Sequence, residues 1–433
     1  MSEPSALQNE PLPRRRSALA LLDTVPELAS HLTFIRGEVR MRVCDINNLY
    51  SPTGGGVRTY LERKLRYYRE RGDTPYGLMV PSLTPQHSVE GVCERYDLPA
   101  LRLGSSGYAL TVSPKAVRQA MRQFKPDVVE VGSAYVLPAL VHAALRDREL
   151  RQPRRAVIGF VHAIYPNTYV EAPLTNLVGP KVGKMAAAVA DQHMRLTYNS
   201  FDATFVASQV VQEKLEGIGV RNVYRTPLGF DASRFSPSLR SEEARARWGA
   251  GPKDKLVIFV GRISLEKSVD FLMSEFPELR KIPGVKTVVV GHGPLEDEVR
   301  VVSERHGGMM LTGFMTDQKA LAELYASADV MLSMGRFETF SLATLEAQAS
   351  GTPVVAVNEG AAAELVRNSG VGAVYQHGER GALVEAIRST LDTPQAARDQ
   401  LAEWAKNTFS WDACFNLMHQ RYEETVERVR REG

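Results

Sequence analysis

Short apolar runs alternate with longer segments of helical periodicity along most of this chain. One series of runs predicts strands at 41–46, 76–80, 127–131, 156–161 and 203–207. A second series predicts strands at 255–260, 286–290, 309–311, 329–333 and 354–357. Strands that alternate with helices form parallel sheets, and ligands bind at the carboxyl ends of such strands. We therefore predict an α/β fold with two Rossmann-like, doubly wound domains.

A turn-rich segment separates the two series of strands. Near Pro227, Gly229 and Pro237 the strand and helix patterns stop, and these residues favour turns. The predicted parts are an N-terminal tail at 1–38, a first domain at 39–225, a second domain at 226–410 and a C-terminal helix at 411–433. In the last part, spacings of three and four predict an amphipathic helix whose apolar stripe is Trp411, Phe415, Met418, Tyr422, Val426 and Val429.

The composition is that of a globular protein without a metal or nucleic-acid signature. The chain has 433 residues, 44% hydrophobic and 24% charged, which is enough for two cores. Cys44, Cys93 and Cys414 lack a Cys-x-x-Cys spacing, so we expect reduced thiols in a cytoplasmic protein. The net charge of +3 gives no case for nucleic acid. No apolar run approaches the roughly 20 residues that span a bilayer, and we predict no export signal.

Residues 336–357 predict an anion-binding helix start. Ser341 suits an N-cap, 342–350 are mostly good helix formers, and Gly351 suits the position after the helix. Free backbone N–H groups near Phe340, Ser341 and Leu342 would then favour a phosphate in front of the helix.

Two carboxylates flank this predicted phosphate site. Glu338 precedes the helix, and Glu346 lies about one turn inside it. Both would repel a bare phosphate, so hydroxyl groups of the same ligand are better partners. A ligand with a phosphate between two sets of hydroxyl groups is a nucleotide sugar.

Three further loops follow predicted strands. Gly55 and Gly56, in a run of three glycines, precede a helix at 57–71 and would let backbone N–H groups approach an anion. This loop is not a Gly-x-Gly-x-x-Gly fingerprint, which disfavours a dinucleotide cofactor. His162 follows the strand at 156–161, and Arg262 and Lys267 follow the strand at 255–260.

Glu338, seven residues, Glu346 and then Ala-x-Ala-x-Gly-x-Pro-Val-Val resemble the signature of the retaining glycosyltransferases of family 4, which have the GT-B fold. Gly261, Arg262 and the Glu266-Lys267 pair resemble a second family segment. Ser341 and Ser268 stand where the family usually has Gly. The resemblance implies that Glu338 contacts the donor sugar, Glu346 the ribose, and Arg262 and Lys267 the diphosphate. It also implies that His162 faces the transferred sugar or the acceptor.

The function implied is transfer of a hexose, with retention, from a UDP- or GDP-linked sugar to a hydroxyl of a lipid-linked or saccharide acceptor. No metal is required, because cations and helix amides would stabilise the leaving diphosphate. The two domains would face a cleft, and the C-terminal helix would pack back on the first domain. Two alternatives are a sugar phosphorylase or nucleotide-sugar epimerase on this fold, and a degenerate nucleotide-sugar binding protein. Intact Arg262, Lys267, Glu338 and Glu346 argue against the last.

Basic residues in the first domain predict contact with the cytosolic face of a membrane. They lie on the helix at 57–71 and at Lys181 and Lys184, near an apolar loop with Ile164, Tyr165, Tyr169 and Leu174. Each basic residue near an anionic leaflet contributes about 1 kcal/mol. The alternative is that these charges only solvate helices and that the acceptor is a water-soluble sugar or polyol.

Overall fold

The computed structural model describes residues 41–51, 55–102, 109–164 and 179–432. The predicted tail at 1–38 lies outside the described residues, as do Gly54, Tyr165, Tyr169 and Leu174.

The first sheet has eight strands in the order β10-β9-β8-β7-β1-β2-β4-β3. All neighbouring pairs are parallel except β3 and β4. The strands are β1 (Val43–Ile46), β2 (Tyr76–Ser82), β3 (Gln86–Glu90), β4 (Cys93–Pro99), β7 (Val128–Val131), β8 (Ala156–Phe160), β9 (Ala203–Val206) and β10 (Val223–Arg225). A separate antiparallel pair is formed by β5 (Leu101–Arg102) and β6 (Ala109–Leu110). The central strands are buried over their whole length, which explains why their residues are mostly apolar. The exceptions, Asp45 in β1 and Glu130 in β7, are buried and paired with Lys64.

Helices cover both faces of this sheet. They are α1 (Gly56–Arg71), α2 (Pro114–Phe124), α3 (Leu137–Leu145), α4 (Arg148–Arg151), α5 (Pro180–Tyr198) and α6 (Gln209–Gly217). Cys44, Cys93 and Cys414 are free and buried. In the described part of the chain, no helix has the length and apolar content needed to cross a bilayer.

The second sheet has six parallel strands in the order β13-β12-β11-β14-β15-β16. The strands are β11 (Lys255–Val260), β12 (Val285–Val290), β13 (Met309–Gly313), β14 (Val330–Ser333), β15 (Val354–Val357) and β16 (Gly372–Tyr375). This is the Rossmann order 3-2-1-4-5-6, in which the chain reverses direction across the sheet between β11 and β14. Ligands bind at such a reversal, so the topology places a site beside the carboxyl ends of these two strands. The predicted class of two Rossmann-like sheets is confirmed.

The helices of the second sheet are α7 (Glu242–Arg247), α8 (Val269–Leu279), α9 (Glu296–His306), α10 (Gln318–Ser327), α11 (Leu342–Ala349), α12 (Ala361–Ser369), α13 (Ala382–Thr390) and α14 (Gln395–Thr408). Short 3₁₀ turns lie at Pro237–Leu239 and Leu265–Lys267. The final helix, α15, runs from Trp411 to Glu432.

Helix α15 packs against α1 of the first sheet through a buried polar cluster. The ammonium of Lys64 lies 2.9 Å from Asp45 Oδ1, 3.2 Å from Glu130 Oε2 and 2.6 Å from the Tyr422 hydroxyl. Tyr60 donates to Glu130 Oε1 at 2.7 Å. Buried charges persist when they are paired and hydrogen-bonded, so this cluster ties α15 to β1 and β7.

Candidate active site

Loops from the two sheets meet beside the reversal between β11 and β14. The Thr339 hydroxyl donates to the carbonyl oxygen of His162 at 3.0 Å. A Cβ built on Gly56, at the start of α1, would lie 3.6 Å from Cδ1 of Leu342, at the start of α11. Gly55 takes φ +105°, a conformation that favours glycine. Two helix N-termini and the end of β8 therefore converge on one cleft.

Ser341 occupies the N-cap position of α11, but its side chain does not cap the helix. Its backbone is left-handed (φ 69°), and its hydroxyl lies 2.8 Å from that of Thr344. Ser341 thus takes the predicted N-cap position without supplying the side-chain hydrogen bond of a usual cap. The amides of the first turn are left for an acceptor outside the helix. Phe340 can contribute only its backbone to such a site, because its side chain is buried against Phe409.

Lys267 and Glu338 form an ion pair at the mouth of the second sheet. Burial opposes the charge of Lys267, but contact with Glu338 outweighs it and raises the pKa of Lys267. A Cβ on Gly335 would lie 3.2 Å from Glu338 Oε1 and 3.3 Å from Lys267 Cδ, so glycine leaves space for this pair. The two predicted site residues are thus brought into direct contact.

Arg262 lies close enough to Lys267 for its charge to act against the raised pKa of the Lys267 ammonium. Its side chain is exposed, and among the described residues it has no ion-pair partner. Arg262 and Lys267 are therefore close together, and of the two only Lys267 is paired with a carboxylate of the described residues, that of Glu338. This arrangement leaves net positive charge for an anion such as a diphosphate.

Glu346 lies in the first turns of α11 and is half-buried. Burial raises its pKa to about 7, although Tyr325, Arg234 and Arg63 act in the opposite direction. Arg63 belongs to α1 and pairs with Asp231, in the segment that joins the two sheets. A half-buried carboxylate near two arginines can accept hydrogen bonds from ligand hydroxyl groups.

His162 follows β8, and its ring stacks on Phe160 with centroids 4.5 Å apart. Its Nε2 lies 3.1 Å from Nδ2 of Asn47, which follows β1. Burial, and then the charge of Lys64, lower the pKa of His162 to about 3. The imidazole is therefore neutral at physiological pH.

The basic residues of α1 do not form a free cationic surface. Acidic partners hold Arg63 (Asp231), Lys64 (Asp45 and Glu130), Arg66 (Glu70), Arg69 (Glu90) and Arg71 (Asp73). The expectation that unpaired basic residues of α1 bind an anionic membrane is therefore not supported. Spacing along one helix could not reveal these partners, because most of them come from distant strands and loops.

Sequence reasoning also missed residues that surround the site. Asn47, Thr339, Tyr325, Arg63 and Arg234 touch or perturb the predicted residues. Asn47 carried a usable signal, since it directly follows the first apolar strand and the carboxyl ends of parallel strands meet at one edge. Arg63 and Tyr325 lie in helices, Thr339 and Arg234 lie in loops, and none of the four directly follows a predicted strand.

Comparisons with known proteins agree with this architecture. The model of glycosyltransferase family 4 matches residues 54–234, and the model of glycosyl transferases group 1 matches residues 240–409. A GDP-mannose-dependent alpha-(1-6)-phosphatidylinositol dimannoside mannosyltransferase of Mycobacterium tuberculosis is 29% identical over 86% of this chain and 93% of its own length. A GDP-mannose-dependent alpha-mannosyltransferase of Corynebacterium glutamicum is 26% identical over 89% of each chain.

Solved structures share the fold at low sequence identity. Sucrose-phosphate synthase from Thermosynechococcus elongatus superposes with a TM-score of 0.71 at 17% identity, covering 90% of this chain and 100% of that one. Anabaena HepE, in complex with UDP and glucose, has a TM-score of 0.66 at 18% identity, covering 89% and 100%. Since the two family models together span both sheets, the chain belongs to glycosyltransferase family 4, has the GT-B fold and is a hexosyltransferase.

Proposed function

We propose that the protein transfers a hexose, with retention of configuration, from a nucleoside diphosphate sugar to a hydroxyl of a lipid-linked or saccharide acceptor. The observation that carries the proposal is the cation pair Arg262 and Lys267 beside the uncapped start of α11. A leaving diphosphate gains negative charge as the glycosidic bond breaks. Preorganised cations and amides stabilise that charge more in the transition state than in the ground state.

The proposed step is a front-face substitution. The bond between the anomeric carbon and the phosphate oxygen breaks, and the acceptor oxygen bonds to the same face of that carbon. The acceptor proton passes to the departing phosphate oxygen, so no carboxylate nucleophile and no metal ion is needed. Glu338 would orient the sugar, Glu346 would accept hydrogen bonds from the ribose, and the backbone of Phe340, Ser341 and Leu342 would hold the phosphates. Gly55 and Gly56 would approach the ligand from the first domain.

GDP-mannose is the proposed donor, because several relatives are named as GDP-mannose-dependent. The test measures release of nucleoside diphosphate from a panel of UDP- and GDP-linked sugars, with and without inorganic phosphate and with and without EDTA. We expect release from GDP-mannose that depends on an acceptor and not on phosphate. Sugar 1-phosphate as a product would instead indicate a phosphorylase. A β-linked early product in the NMR spectrum would contradict retention.

We further propose that α5, rather than α1, meets an anionic membrane surface. Large apolar side chains on α5 are exposed at helical spacing: Val182, Met185, Val189 and Leu196. Met185 and Val189 are 66% and 70% exposed, which is unusual for side chains of this size. Exposed Lys181, Lys184 and Arg195 accompany this stripe. Apolar side chains beside basic ones are the pattern of a helix that lies at the surface of an anionic bilayer.

Co-sedimentation with liposomes tests the α5 surface. We expect binding to vesicles that contain anionic lipid at low salt, weaker binding at high salt, and loss of binding in Met185→Glu/Val189→Glu. Val301→Glu is the matched control, since Val301 is also exposed (53%) but lies on α9 of the second sheet. Equal sedimentation of the double variant and the wild type would reject the α5 surface. Transfer to a water-soluble acceptor without any vesicle binding would reject the membrane proposal altogether.

A further inference from the structure

Three adjacent strands of the first sheet place three residues together at their carboxyl ends. The strands β8, β7 and β1 are neighbours, and they are followed by His162, Gly132 and Asn47. Parallel pairing of β8 with β7 and of β7 with β1 holds these ends in register, and backbone hydrogen bonds continue just beyond β1. Gly132 N–H donates to Ile46 O at 3.0 Å, and Asn47 N–H donates to Met79 O at 3.1 Å.

The orientation of the Asn47 amide is set by its own turn. The N–H of Leu49 donates to Oδ1 of Asn47 at 2.8 Å, so the oxygen of the amide must face Leu49. The nitrogen Nδ2 then faces Nε2 of His162 at 3.1 Å. An amide NH₂ group can only donate, so Nε2 has to accept. The proton of a neutral imidazole must then reside on Nδ1.

The surroundings of His162 agree with a neutral ring. The charged groups near it are Lys64 and, through Lys64, the carboxylates Asp45 and Glu130. Phe160 and Tyr60 lie against the ring, with centroid distances of 4.5 and 5.4 Å. Among the described residues no acceptor is bonded to Nδ1. This N–H is therefore not used by a hydrogen bond within the described part of the chain.

Gly132 provides the space that this arrangement requires. A Cβ at that position would lie 2.0 Å from Nδ2 of Asn47 and 2.5 Å from its Cγ. Any larger residue at 132 would push the Asn47 amide away from the imidazole. The three strand ends therefore form one unit with a single preferred side-chain arrangement.

We propose that Asn47 is a positioning residue that holds His162 in the Nδ1–H tautomer, so that the ring donates a hydrogen bond to a hydroxyl of the bound sugar or acceptor. The tautomer follows from the geometry alone, whereas its use in the reaction rests on the proposed function. In this form His162 is a fixed donor rather than a general base across the neutral pH range.

The tautomer is measured by long-range ¹H–¹⁵N NMR of protein labelled with ¹⁵N-histidine, with the His162 signals assigned by their loss in His162→Gln. We expect a protonated Nδ1 and an unprotonated Nε2 from pH 6 to 8. In Asn47→Asp the carboxylate keeps the Leu49 contact but presents an acceptor to Nε2, so the proton should move to Nε2. Asn48→Asp is the matched control, because Asn48 bonds only to Thr111 in the described chain and should leave the His162 signals unchanged.

Transfer kinetics test the consequence for the reaction. Asn47→Asp and Asn47→Leu should lower kcat about tenfold, the effect expected from loss of one hydrogen bond to the substrate in the transition state, with little change in nucleotide affinity. A wild-type ring protonated on Nε2, or an unmoved proton in Asn47→Asp, would overturn the assigned tautomer. A moved proton with unchanged kcat would overturn the positioning role. If no nucleotide sugar is turned over, the proposed function fails while the NMR result still decides the tautomer.

Discussion

Two serines at the site carry backbone strain. Ser341 and Ser268 have φ values of 69° and 52°, in the left-handed region that costs a residue with a Cβ about 1–2 kcal/mol. Each lies at the N-cap of a helix, and each is next to predicted phosphate contacts: Lys267 beside Ser268, and Phe340 and Leu342 beside Ser341. These are the positions where the family resemblance expects glycine, and the left-handed backbone gives the physical reason for that preference. Strain of this kind persists where the surrounding structure fixes the backbone.

Ser268→Gly should stabilise the protein by about 0.5–1 kcal/mol, because relief of the left-handed backbone is partly offset by the greater entropy of glycine when unfolded. Ser268 suits the test, whereas Ser341 also contacts the Thr344 hydroxyl. Urea unfolding measures the change. Ser268→Ala, which keeps the Cβ, is the control and should show no comparable gain. A glycine variant less stable than the wild type would contradict the strain.

Arg262 and Lys267 are the two cations expected to bind the diphosphate of the donor. Arg262→Ala and Lys267→Ala should each lower kcat about 100-fold, since each removes a charge that acts on the leaving group. Lys281→Ala and Arg300→Ala are controls for loss of a surface cation, because both pair with acidic residues of their own helical segments. Steady-state kinetics with the preferred donor provide the measurement. Normal turnover in either site variant would remove that residue from the catalytic group.

Because the pKa of Glu346 is raised, we expect the stability of the folded protein to depend on pH. Its folded pKa of about 7 lies above the ordinary value of 4.5, so the folded state keeps a proton that the unfolded state has already lost. The free energy of unfolding therefore falls as pH rises between these two values. Glu346→Gln cannot titrate, and it should gain about 1–3 kcal/mol over the wild type between pH 4.5 and 8. Urea unfolding at both pH values measures this gain, and a constant difference would contradict the raised pKa.

At the scale of elements, the buried strands were predictable and the edge of the first sheet was not. The runs at 255–260 and 354–357 coincide with β11 and β15, because strands buried on both faces are continuously apolar. By contrast β3 is fully exposed and reads Gln-His-Ser-Val-Glu, and β4 contains Glu94, Arg95 and Asp97. β3 is the edge strand, where polar and charged residues are usual, and β4 is its neighbour in the sheet. Polar and charged residues in both strands remove the apolar pattern that identifies a strand.

In the site, too, some features were predictable from the sequence and others were not. Glu338 and Lys267 were predictable as individual residues because they belong to a motif or follow a strand. Their direct contact depends on a loop that closes over Gly335 and on packing between distant segments. Likewise most acidic partners of α1 come from β1, β3, β7 and the linker, whereas Glu70 and Asp73 lie on the helix or directly after it. Pairings of this kind depend on the folded arrangement, so a one-dimensional pattern does not contain them.

Helix α15 is attached to the first domain through the hydroxyl of Tyr422, which bonds Lys64 and Glu130. Tyr422→Phe removes a hydroxyl that bonds both Lys64 and Glu130 in a buried cluster, which should cost about 1–3 kcal/mol because both groups lose a partner. The control is Tyr67→Phe, which loses an exposed bond to Asn416 on the same pair of helices and should cost less. Thermal or urea unfolding compares the two. Equal stabilities would mean that the cluster does not anchor α15.

At the scale of the whole molecule, direct contacts join the two domains on one side of the cleft. Glu364, on α12, accepts hydrogen bonds from the N–H groups of Gln209 and Val210 at the start of α6, at 2.9 and 3.3 Å. It also lies 3.9 Å from Arg225. A carboxylate at a helix N-terminus is stabilised by the free amides and the helix dipole. Glu364 therefore links the second sheet to the first on the side of the cleft formed by α6.

Loss of this link should favour separation of the two domains. Hydrogen bonds to a charged group contribute about 1.5–3 kcal/mol, so Glu364→Ala should shift the balance between closed and open forms by about tenfold or more. Small-angle X-ray scattering should then show a larger radius of gyration than for the wild type, and saturating GDP should reduce the difference. Glu385→Ala is the control, since Glu385 pairs only loosely with Arg388 on an exposed helix face. An unchanged radius of gyration in Glu364→Ala, with the fold intact, would show that other contacts hold the domains together.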